Sequence, residues 1–317
     1  MRFVFESIIF FILIFSGYWM YVIMRSFFYN QENKPKTKII RISILCSLAI
    51  IFLIIAWGSF IEPRLIKIKH LEINLNATIQ PEKIRLAFVS DFHAGPYKKN
   101  FFISRVVNKI IKQNPDVILL GGDFIENKES ASYYLRPLKK LAEQYPTFAV
   151  MGNHEYNLSK FRGPKQKNRS QTLRRLFKEW HIPILDNQTQ VVRTDKGWIN
   201  ITGLPEIWTG EANIAIAEYN SDPRAPKILL CHNPEIIIDQ KANDFDLILS
   251  GHTHGGQVRL PWIGSVPPLP TSLGRSYDRG LFKLKNGYLY ITAGIGTNLT
   301  RARLFNPPEI TIIDLDL

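Results

Sequence analysis

Hydrophobic and polar positions divide this chain into two parts. No charged residue occurs from Ser7 to Met24 or from Ser43 to Ile61, and a basic interval separates these two stretches. Each stretch is about as long as a helix that crosses the hydrocarbon core of a bilayer. The pattern predicts an N-terminal transmembrane helical hairpin, with residues 1–62 as a membrane anchor and residues 63–317 as a separate folded domain.

Two alternative interpretations of the first sixty residues are weaker. A cleaved signal peptide would carry a small-x-small site near the end of its apolar stretch, whereas the first stretch ends with the aromatic residues Tyr18, Trp19 and Tyr21. Aromatic side chains at such positions are typical of membrane interfaces. A buried hairpin in a soluble protein rarely contains two uncharged runs of this length, so the anchor is the better interpretation.

After Ile61, short apolar runs alternate with segments of helical periodicity. Ile84–Ser90, Val117–Leu120 and Thr147–Met151 have the length and composition of buried strands. Helical spacing follows the first of these strands from Phe102 to Ile111, and a further helix is predicted from Tyr133 to Gln144. This alternation is typical of α/β folds.

The second half of the chain is richer in predicted strands. They lie near Val191 and at Trp198–Thr202, Lys227–Cys231, Leu247–Leu249, Gly287–Thr292 and Glu309–Ile313. The most economical α/β architecture for these elements is a pair of mixed β-sheets packed face to face, with helices on the outer sides.

Composition and charge refine this picture. The 317 residues suffice for one large domain plus an accessory segment. The net charge of +13 fits nucleic-acid binding, attraction to anionic lipid headgroups or attraction of anionic substrates, and membrane anchoring favours the last two. No nucleic-acid recognition module is recognisable, so no nucleic-acid partner is expected. Cys46 and Cys231 predict no disulfide framework.

Two further segments have unusual compositions. Eight basic residues and no acidic residue lie between Lys160 and Lys178. A cap that grips phosphates or approaches lipid headgroups and a solvated loop that leads into a helix are about equally good interpretations. The second segment, Leu260–Pro270, is apolar and interrupted by prolines. A packed loop is slightly favoured there over a surface that contacts lipid or acyl chains.

Five short motifs each follow a predicted strand and together hold five of the seven histidines. They are Asp91-Phe92-His93, Gly121-Gly122-Asp123, Gly152-Asn153-His154-Glu155, His232 and Gly251-His252-Thr253-His254. Active sites of open α/β sheets lie at the carboxyl ends of the strands, so these side chains are expected to converge. A single motif of this kind arises often by chance, whereas all five in order are specific.

The side chains of these motifs suit a pair of divalent metal ions. The expected ligands are Asp91, His93, Asp123, Asn153, His232, His252 and His254, with the carboxylate of Asp123 able to bridge both ions. Carboxylate, amide and imidazole ligands without thiolate favour Mn²⁺ and also fit Fe, Zn²⁺ or Co²⁺. Two such ions polarise a phosphoryl group and activate a shared water, which predicts hydrolysis of a phosphoester.

His154 is the candidate catalytic residue. It adjoins the expected ligand Asn153, so it is predicted to lie beside the metal ions rather than on them. From there it would donate a proton to the leaving oxygen or stabilise the transition state. Glu155 either orients His154 or, as the favoured interpretation, is a surface carboxylate.

The order D-x-H, G-D, G-N-H-D/E, H and G-H-x-H resembles the pattern of the calcineurin-like metallophosphoesterase superfamily, from about Ile66 to the C-terminus. The resemblance implies a four-layer α/β/β/α sandwich. It also implies that one metal ion is held by Asp91, His93, Asp123 and His254, and the other by Asp123, Asn153, His232 and His252.

Residues 254–261 (HGGQVRLP) and the later Gly294-Ile295-Gly296-Thr297 resemble the membrane-associated YaeI/YkuE-type phosphodiesterase branch of that superfamily. The branch includes enzymes that cleave UDP-2,3-diacylglucosamine to lipid X and UMP in lipid A biosynthesis. Arg259, within the first of these segments, is a candidate substrate-binding residue. The long basic segment after Glu155 and the double anchor depart from the usual pattern of the branch, which leaves the transfer of a substrate open.

The leading hypothesis is a membrane-bound dimetal phosphoesterase that cleaves a phosphodiester or pyrophosphate bond of a lipid-linked anionic phosphate, with UDP-2,3-diacylglucosamine as the best candidate. The alternative within the same class is a phosphodiesterase for another phospholipid or cell-envelope phosphoester. A non-catalytic membrane scaffold ranks low, because no expected ligand is missing.

The expected membrane topology follows from the candidate substrate, because the distribution of charge gives too small a bias. Lys and Arg residues on the two sides of the hairpin differ in number by one, which is too small a bias to orient it. A nucleotide-activated lipid is available at the cytoplasmic face. An integral protein of the cytoplasmic membrane with its domain in the cytoplasm is therefore expected, and the sequence leaves the oligomeric state open.

Overall fold

Two long apolar helices, α1 (Arg2–Tyr29) and α2 (Pro35–Ala56), begin the chain. The structure is a computed structural model that describes residues 2–29, 34–75, 83–158 and 169–316. Most apolar side chains of both helices face outward, and 11% and 0% of their most hydrophobic windows are buried. A core helix of a soluble protein is mostly buried. These helices, long and apolar enough to cross a membrane, therefore indicate membrane association.

The carboxyl end of α2 docks on the folded domain. A π-helical turn (Trp57–Ile61) and a 3₁₀ turn (Glu62–Arg64) prolong the helix to its end. The buried carboxylate of Glu62 accepts hydrogen bonds from the indole N–H of Trp57, at 2.8 Å, and from the backbone N–H of Asn306. The last turn that follows α2 is thereby bonded to the C-terminal part of the domain.

Two further contacts hold the N-terminal helices against the same part of the domain. The carbonyl of Gly58 accepts a hydrogen bond of 2.8 Å from the backbone N–H of Arg303. Near the start of α1, Glu6 forms an ion pair of 2.7 Å with Arg301. The start of α1 and the end of α2 therefore both contact the segment around residues 301–306.

The domain is built from thirteen strands and five further helices within the described residues. The strands are β1 (Lys67–Asn74), β2 (Lys83–Val89), β3 (Val117–Leu120), β4 (Thr147–Ala149), β5 (Gln188–Thr194), β6 (Gly197–Gly203), β7 (Lys227–Leu230), β8 (Leu247–Ser250), β9 (Arg259–Leu260), β10 (Gly264–Ser265), β11 (Gly280–Lys283), β12 (Tyr288–Ile291) and β13 (Glu309–Asp316). The helices are α3 (Asn100–Ile111), α4 (Lys139–Ala142), α5 (Asn153–Tyr156), α6 (Ser170–Glu179) and α7 (Ile214–Ala217).

Most of these strands form two large mixed sheets. The first has the order β1-β13-β2-β3-β4, and its pairs are parallel except for β13 with β2. The second has the order β11-β12-β8-β7-β6-β5, with antiparallel pairs at its two edges and parallel pairs between them. Strands β9 and β10 form a separate small hairpin.

Three apolar cores separate four layers. Ala87 and Val89 of β2 pack with helix α3 on the outer side of the first sheet. The alternate positions Leu86 and Phe88 face the second sheet, where the ring centroid of Phe88 lies 6.4 Å from that of Tyr290. The third core joins the outer face of the second sheet to α7 and neighbouring 3₁₀ turns. Strands buried on both faces account for the continuous apolar runs of the sequence, and the predicted α/β/β/α architecture is confirmed.

The structure also corrects several details. The single helix predicted from Tyr133 to Gln144 is instead a 3₁₀ helix (Glu129–Leu138) followed by the one turn of α4. Pro137 lies at the end of the 3₁₀ helix and has no N–H to donate, which disfavours a continuous α-helix. Strands β1 and β11, which lie at sheet edges, were absent from the predicted set.

The basic segment from Lys160 to Lys178 lies partly outside the described residues, which resume at Arg169. Its second half is helix α6, whose Leu173 and Phe177 are buried in the core of the first sheet. Arg174 of this helix pairs with Asp186 and donates to the hydroxyl of Tyr156 at 2.8 Å. This part is therefore a packed helix, and one of its arginines is already paired.

Candidate metal centre

The five motifs converge where the carboxyl ends of strands from both sheets meet. Asp91 and His93 follow β2, Asp123 follows β3, Asn153 begins α5 just after β4, His232 follows β7, and His252 and His254 follow β8. All seven side chains are buried. Because the two sheets pack face to face, the strand ends of each sheet bring their loops to one edge of the sandwich, where open α/β sheets bind their ligands.

The backbone of these loops is strained. Five of the seven expected ligands have a positive φ, namely Asp91 (58°), His93 (42°), Asp123 (52°), His252 (70°) and His254 (53°). Residues with side chains rarely adopt this conformation, which costs of order 1–3 kcal/mol at each position. Strain concentrated at one set of buried polar residues points to a functional site.

One group of ligand atoms gathers around Asp91, His93, Asp123 and His254, and these atoms lie within 4.8 Å of one another. The Nε2 atoms of His93 and His254 approach each other to 2.9 Å. The Nε2 atom of His93 lies 3.4 Å from Oδ2 of Asp123, and that of His254 lies 3.4 Å from Oδ1 of Asp91. Four donor atoms thus face one small volume.

A second group shares Asp123 with the first and adds His232 and His252, again within 4.8 Å. The Nε2 atom of His232 is 3.2 Å from Oδ2 of Asp123. Nδ1 of His252 lies 2.9 Å from Oδ1 of Asn153. The amide N–H of Asn153 donates to the carbonyl of Leu158 at 3.0 Å, which directs its oxygen towards His252. Asp123 is therefore common to two adjacent sets of donor atoms.

Backbone carbonyls select which ring nitrogen each histidine of the second group presents. Nδ1 of His232 lies 2.7 Å from the carbonyl of Gly121, and Nε2 of His252 lies 3.1 Å from the carbonyl of Pro270. A carbonyl accepts only from N–H, so the other nitrogen of each neutral ring is left as an electron-pair donor. Those free nitrogens face the centre of the site, as second-shell bonds commonly arrange at metal sites.

Burial and neighbouring charges shift the ionisation of the site. Burial lowers the pKa of His252 to about 4 and raises the pKa of Asp91 to about 6. Burial also acts to raise the pKa of Asp123, but the attraction of His232 and His154 outweighs it and holds that pKa well below its usual value. At neutral pH the site therefore presents a neutral imidazole at His252 together with two carboxylates, which are the forms that bind divalent cations.

His154 lies beside the clustered side chains and is partly exposed. Its backbone N–H donates to Oδ1 of Asp123 at 2.9 Å, and its Nδ1 lies 2.7 Å from the carbonyl of Glu126. Its Nε2 is 4.0 Å from Oδ2 of Asp123, with 16% of the side chain exposed. The carbonyl fixes the ring with Nε2 directed towards the site, so a molecule bound there can reach that nitrogen.

Glu155 is not the surface carboxylate that the sequence suggested, because it is fully buried. Its two oxygens accept four backbone N–H bonds of 2.8–3.2 Å, from Gly152, Asp123, Phe124 and Ile125. Burial and the charge of Asp123 raise the pKa of Glu155 to about 8. Four donors nevertheless leave no direction for an acidic proton, so the ionised carboxylate is the form that fits. Glu155 joins the loop of Asp123 to the loop of Asn153.

Residues 293–306, near the C-terminus, support the loops of the metal centre, a role that the sequence did not predict. Arg303 is fully buried and donates to the carbonyls of Ala293, Gly294, Gly296 and Asn306. A Cβ on Gly294 would lie 2.7 Å from the Cβ of Asp91, so only glycine permits this approach. The Asn306 side chain donates to the carbonyl of His254 at 2.7 Å. The sequence signal for this support was the segment 294–297, with glycine at two of its four positions, followed by Arg303.

Arg259, the candidate substrate-binding residue, lies outside the cluster. It is half-buried, and its guanidinium pairs with the carboxylate of Asp278. Its strand β9 begins five residues after His254. Arg259 is therefore close to the site in the chain, but part of its charge is already neutralised.

A model of the calcineurin-like phosphoesterase family matches residues 84–256, which contain all seven clustered residues and His154. The chain belongs to the calcineurin-like phosphoesterase family. The match confirms the family that the motif order predicted. It also makes this chain a metal-dependent phosphoric ester hydrolase.

Curated relatives of this calcineurin-like phosphoesterase fall in the predicted branch. Phosphodiesterase YaeI of Escherichia coli is 31% identical over 233 residues, which cover 73% of this chain and 82% of that protein. The uncharacterized metallophosphoesterase YkoQ of Bacillus subtilis is 30% identical over 235 residues, covering 73% and 83%. UDP-2,3-diacylglucosamine pyrophosphatase LpxG of Chlamydia muridarum is 28% identical over 309 residues, covering 81% and 91%.

The residues of this calcineurin-like site fit divalent metal ions. Among the described residues, Nε2 of His232, which faces the centre of the site, and Oδ2 of Asp91 are buried without a hydrogen-bond partner. Buried polar atoms without partners are unfavourable, and an imidazole nitrogen and a carboxylate oxygen of adjacent ligand groups are unusual in this state unless a cation compensates them. Carboxylate and imidazole donors without thiolate match the ions expected from the sequence.

Divalent ions are expected to stabilise the protein. Binding to the folded state alone raises the free energy of unfolding by about 2.7 kcal/mol when the free ion is at about 100 times its dissociation constant. Thermal unfolding of the full-length protein in detergent, with Mn²⁺ and with a chelator, measures the effect. An equal shift in the Asp123→Asn variant would show that the ion acts elsewhere.

Proposed function

We propose that this protein is a membrane-bound dimetal phosphoesterase that hydrolyses the pyrophosphate bond of UDP-2,3-diacylglucosamine, giving lipid X and UMP. The proposal rests on the position of Asp123, because its carboxylate belongs to two adjacent groups of ligand atoms. Two divalent ions at such a site neutralise charge on a phosphoryl group and lower the pKa of an attacking water. We assign Mn²⁺ as the preferred ion, because the donor set combines carboxylate, amide and imidazole.

Separate roles are assigned to individual residues of the site. Asp91, His93, Asp123 and His254 would hold one ion, and Asp123, Asn153, His232 and His252 the other. As an imidazolium, His154 would donate the proton on Nε2 to the leaving oxygen and remain a neutral ring, since the carbonyl of Glu126 accepts from its Nδ1–H. Arg259 would contact a substrate phosphate, with Asp278 keeping its guanidinium in place.

Three observations support a lipid-linked substrate. The two apolar helices indicate a membrane location, and their ends contact the segment that supports Asp91 and His254. The net charge of +13 attracts an anionic molecule. The LpxG relative, whose name specifies UDP-2,3-diacylglucosamine, aligns over 91% of its own length.

The substrate is tested by release of UMP. Full-length protein in detergent micelles with Mn²⁺ is expected to release UMP from UDP-2,3-diacylglucosamine, and the Asp123→Asn variant is expected to release none above background. Hydrolysis of bis-p-nitrophenyl phosphate without release of UMP would remove this substrate. It would favour the alternative, a phosphodiesterase for another phospholipid or cell-envelope phosphoester.

We further propose that the protein resides in the cytoplasmic membrane with its domain in the cytoplasm, where nucleotide-activated lipids are available. The start of α1 and the end of α2 contact the domain, so the N-terminus and the domain are on one side. A reporter active only in the cytoplasm, fused to the C-terminus, is expected to be active. Activity of only a periplasmic reporter would reverse this topology.

A further inference from the structure

The hairpin of residues 259–265, here called the tip hairpin, ends in an exposed apolar turn. Strands β9 and β10 enclose Pro261, Trp262 and Ile263. The Trp262 side chain is fully exposed, at 103% of its reference area, and Ile263 is 60% exposed. The sequence interpretation of this segment as a packed loop is therefore wrong at the turn, although Leu269 further along is buried.

The conformation of Trp262 is unfavourable in water. Its φ of +63° lies in the left-handed region, which costs of order 1 kcal/mol or more for a residue with a large side chain. Because the indole is fully exposed, burial of apolar surface does not offset the cost of this conformation. A strained, exposed tryptophan at the end of a hairpin suggests a contact with something outside the chain.

The base of the tip hairpin is built onto the metal centre. A Cβ at Gly256 would lie 1.8 Å from Oγ of Ser265, so β10 packs directly on the backbone two residues after His254. The hydroxyl of Thr253, which lies between His252 and His254, donates to the carbonyl of Asp278. Asp278 in turn pairs with Arg259 of β9.

The other side of the tip hairpin reaches the anchor. The N–H of Arg259 donates to the carbonyl of Leu304 at 2.9 Å, and Val258 forms a parallel bridge with Leu304. The Leu304 side chain lies 3.8 Å from the position of a Cβ on Gly58, in the last turn of the anchor. Trp262 is four residues after Val258, and two of the intervening residues form strand β9, so the turn lies at most about 13 Å from Val258 at about 3.3 Å per residue.

The level of Gly58 along the anchor corresponds to the end of the membrane span. Trp57, 44% exposed, precedes it, and the apolar run ends three residues after it at Ile61. Tryptophan is enriched at the boundary between hydrocarbon and headgroups. A turn within about 13 Å of that level can therefore reach the interfacial region of the same bilayer.

A basic recess lies behind the turn. It has a volume of about 440 Å³ and is lined by Trp262, Phe305 and the three arginines Arg259, Arg275 and Arg279, with Asp278 as the acidic residue of this lining. Phe305 is 56% exposed next to Asn306. An apolar tip backed by arginine suits a surface of anionic phospholipids, where the rings enter the acyl boundary and the exposed guanidinium group of Arg275 meets phosphate.

We propose that the tip hairpin is a second membrane contact, in which Trp262 and Ile263 enter the interfacial region of an anionic phospholipid bilayer. This proposal rests on the membrane-bound function proposed above. The base of the tip hairpin adjoins the loop of His254, so the hairpin would connect the bilayer surface to the catalytic site. A lipid-linked phosphate could then reach the site while its acyl chains remain in the membrane.

Quenching of tryptophan fluorescence by brominated lipid tests this contact. Full-length protein is placed in nanodiscs of phosphatidylglycerol and phosphatidylcholine brominated near the headgroup. The difference between the spectra of wild type and Trp262→Phe isolates the emission of Trp262. We expect brominated lipid to reduce that emission by about half or more, as for an indole at the interface.

A matched control places a tryptophan on an exposed surface away from the hairpin. Tyr219 is 89% exposed beside α7 on the outer face of the second sheet. The tryptophan introduced by Tyr219→Trp is expected to be quenched by acrylamide in solution and not by brominated lipid. If the emission of Trp262 behaves like that control, the proposal is overturned.

The anchor provides an internal reference that separates this proposal from the function proposed above. Trp19 and Trp57 lie in the apolar helices and their end, so their emission should be quenched by brominated lipid in every variant. Quenching of these two without quenching of Trp262 rejects the tip hairpin alone. Absence of quenching of all three rejects membrane insertion itself, and the release of UMP is measured independently of both.

A kinetic measurement provides a second test. Trp262→Ser is expected to raise KM about tenfold for UDP-2,3-diacylglucosamine in nanodiscs, equivalent to about 1.4 kcal/mol, while turnover of soluble bis-p-nitrophenyl phosphate changes by less than about twofold. Tyr219→Ser should change neither value. Equal losses on both substrates after Trp262→Ser would show a structural role and contradict the proposal.

Discussion

The Asp123→Asn substitution is expected to reduce kcat for bis-p-nitrophenyl phosphate by about 10³-fold or more, because the residue belongs to both groups of ligand atoms. The amide keeps the size of the side chain but removes its charge and replaces one oxygen with a nitrogen that cannot bind a cation. The one remaining oxygen carries no charge, so both groups of ligand atoms are weakened in one step. Replacement of a residue from only one group, such as His232, should leave the other group intact.

The measurement is steady-state hydrolysis by the purified full-length protein in detergent with Mn²⁺. Asp195→Asn makes the same chemical change at an exposed position and should leave kcat within about twofold of the wild type. Circular dichroism should show that both variants are folded. Equal rates for Asp123→Asn and Asp195→Asn would remove Asp123 from the reaction.

The Glu155→Gln substitution is expected to lower the free energy of unfolding by about 3 kcal/mol or more. The carboxylate accepts four backbone N–H bonds, and the amide of glutamine would turn an N–H donor towards two of them. The amide N–H of glutamine would face two backbone N–H groups, so hydrogen bonds would be lost and repulsion between donors would be added. The loops of Asp123 and Asn153 would separate, so turnover is expected to fall together with stability.

Chemical unfolding followed by circular dichroism measures this effect, and Glu143→Gln serves as its control. Glu143 pairs with Lys139 at 3.8 Å on the surface, with 56% of its side chain exposed. Exposed pairs of this kind contribute about 0–1 kcal/mol, so the control variant should unfold near the wild type. A similar unfolding midpoint for both variants would mean that the hydrogen bonds of Glu155 contribute little to the stability of the fold.

The local pattern of the sequence was sufficient for most of the strands and for the seven clustered side chains. Buried strands of the first sheet, such as β3, are uninterrupted apolar runs, and each is followed directly by polar residues. Loops at the ends of neighbouring strands must converge when the sheets pack. Convergence of Asp91, Asp123 and His254 therefore follows from strand order and from the known placement of sites in α/β folds.

What local pattern could not supply was the set of contacts between distant segments. Glu155 bonds to residues about 30 positions away, and Asn306 bonds to Glu62, 244 positions earlier. A glutamate in a polar loop is usually exposed, so its burial depends on a loop whose position only the fold determines. The exposure of Trp262 likewise could not be distinguished from packing, because an apolar, proline-containing segment is compatible with both.

The metal content of the full-length protein tests whether Asp123 links two metal ions in one phosphoesterase site. Protein loaded with Mn²⁺ and freed of unbound ion is analysed by inductively coupled plasma mass spectrometry, in parallel with turnover of bis-p-nitrophenyl phosphate. We expect two ions per chain in the wild type, fewer in Asp123→Asn, and turnover that a chelator abolishes and Mn²⁺ restores. Full turnover by a protein without bound metal, or unchanged metal content and turnover in Asp123→Asn, would contradict this role of Asp123.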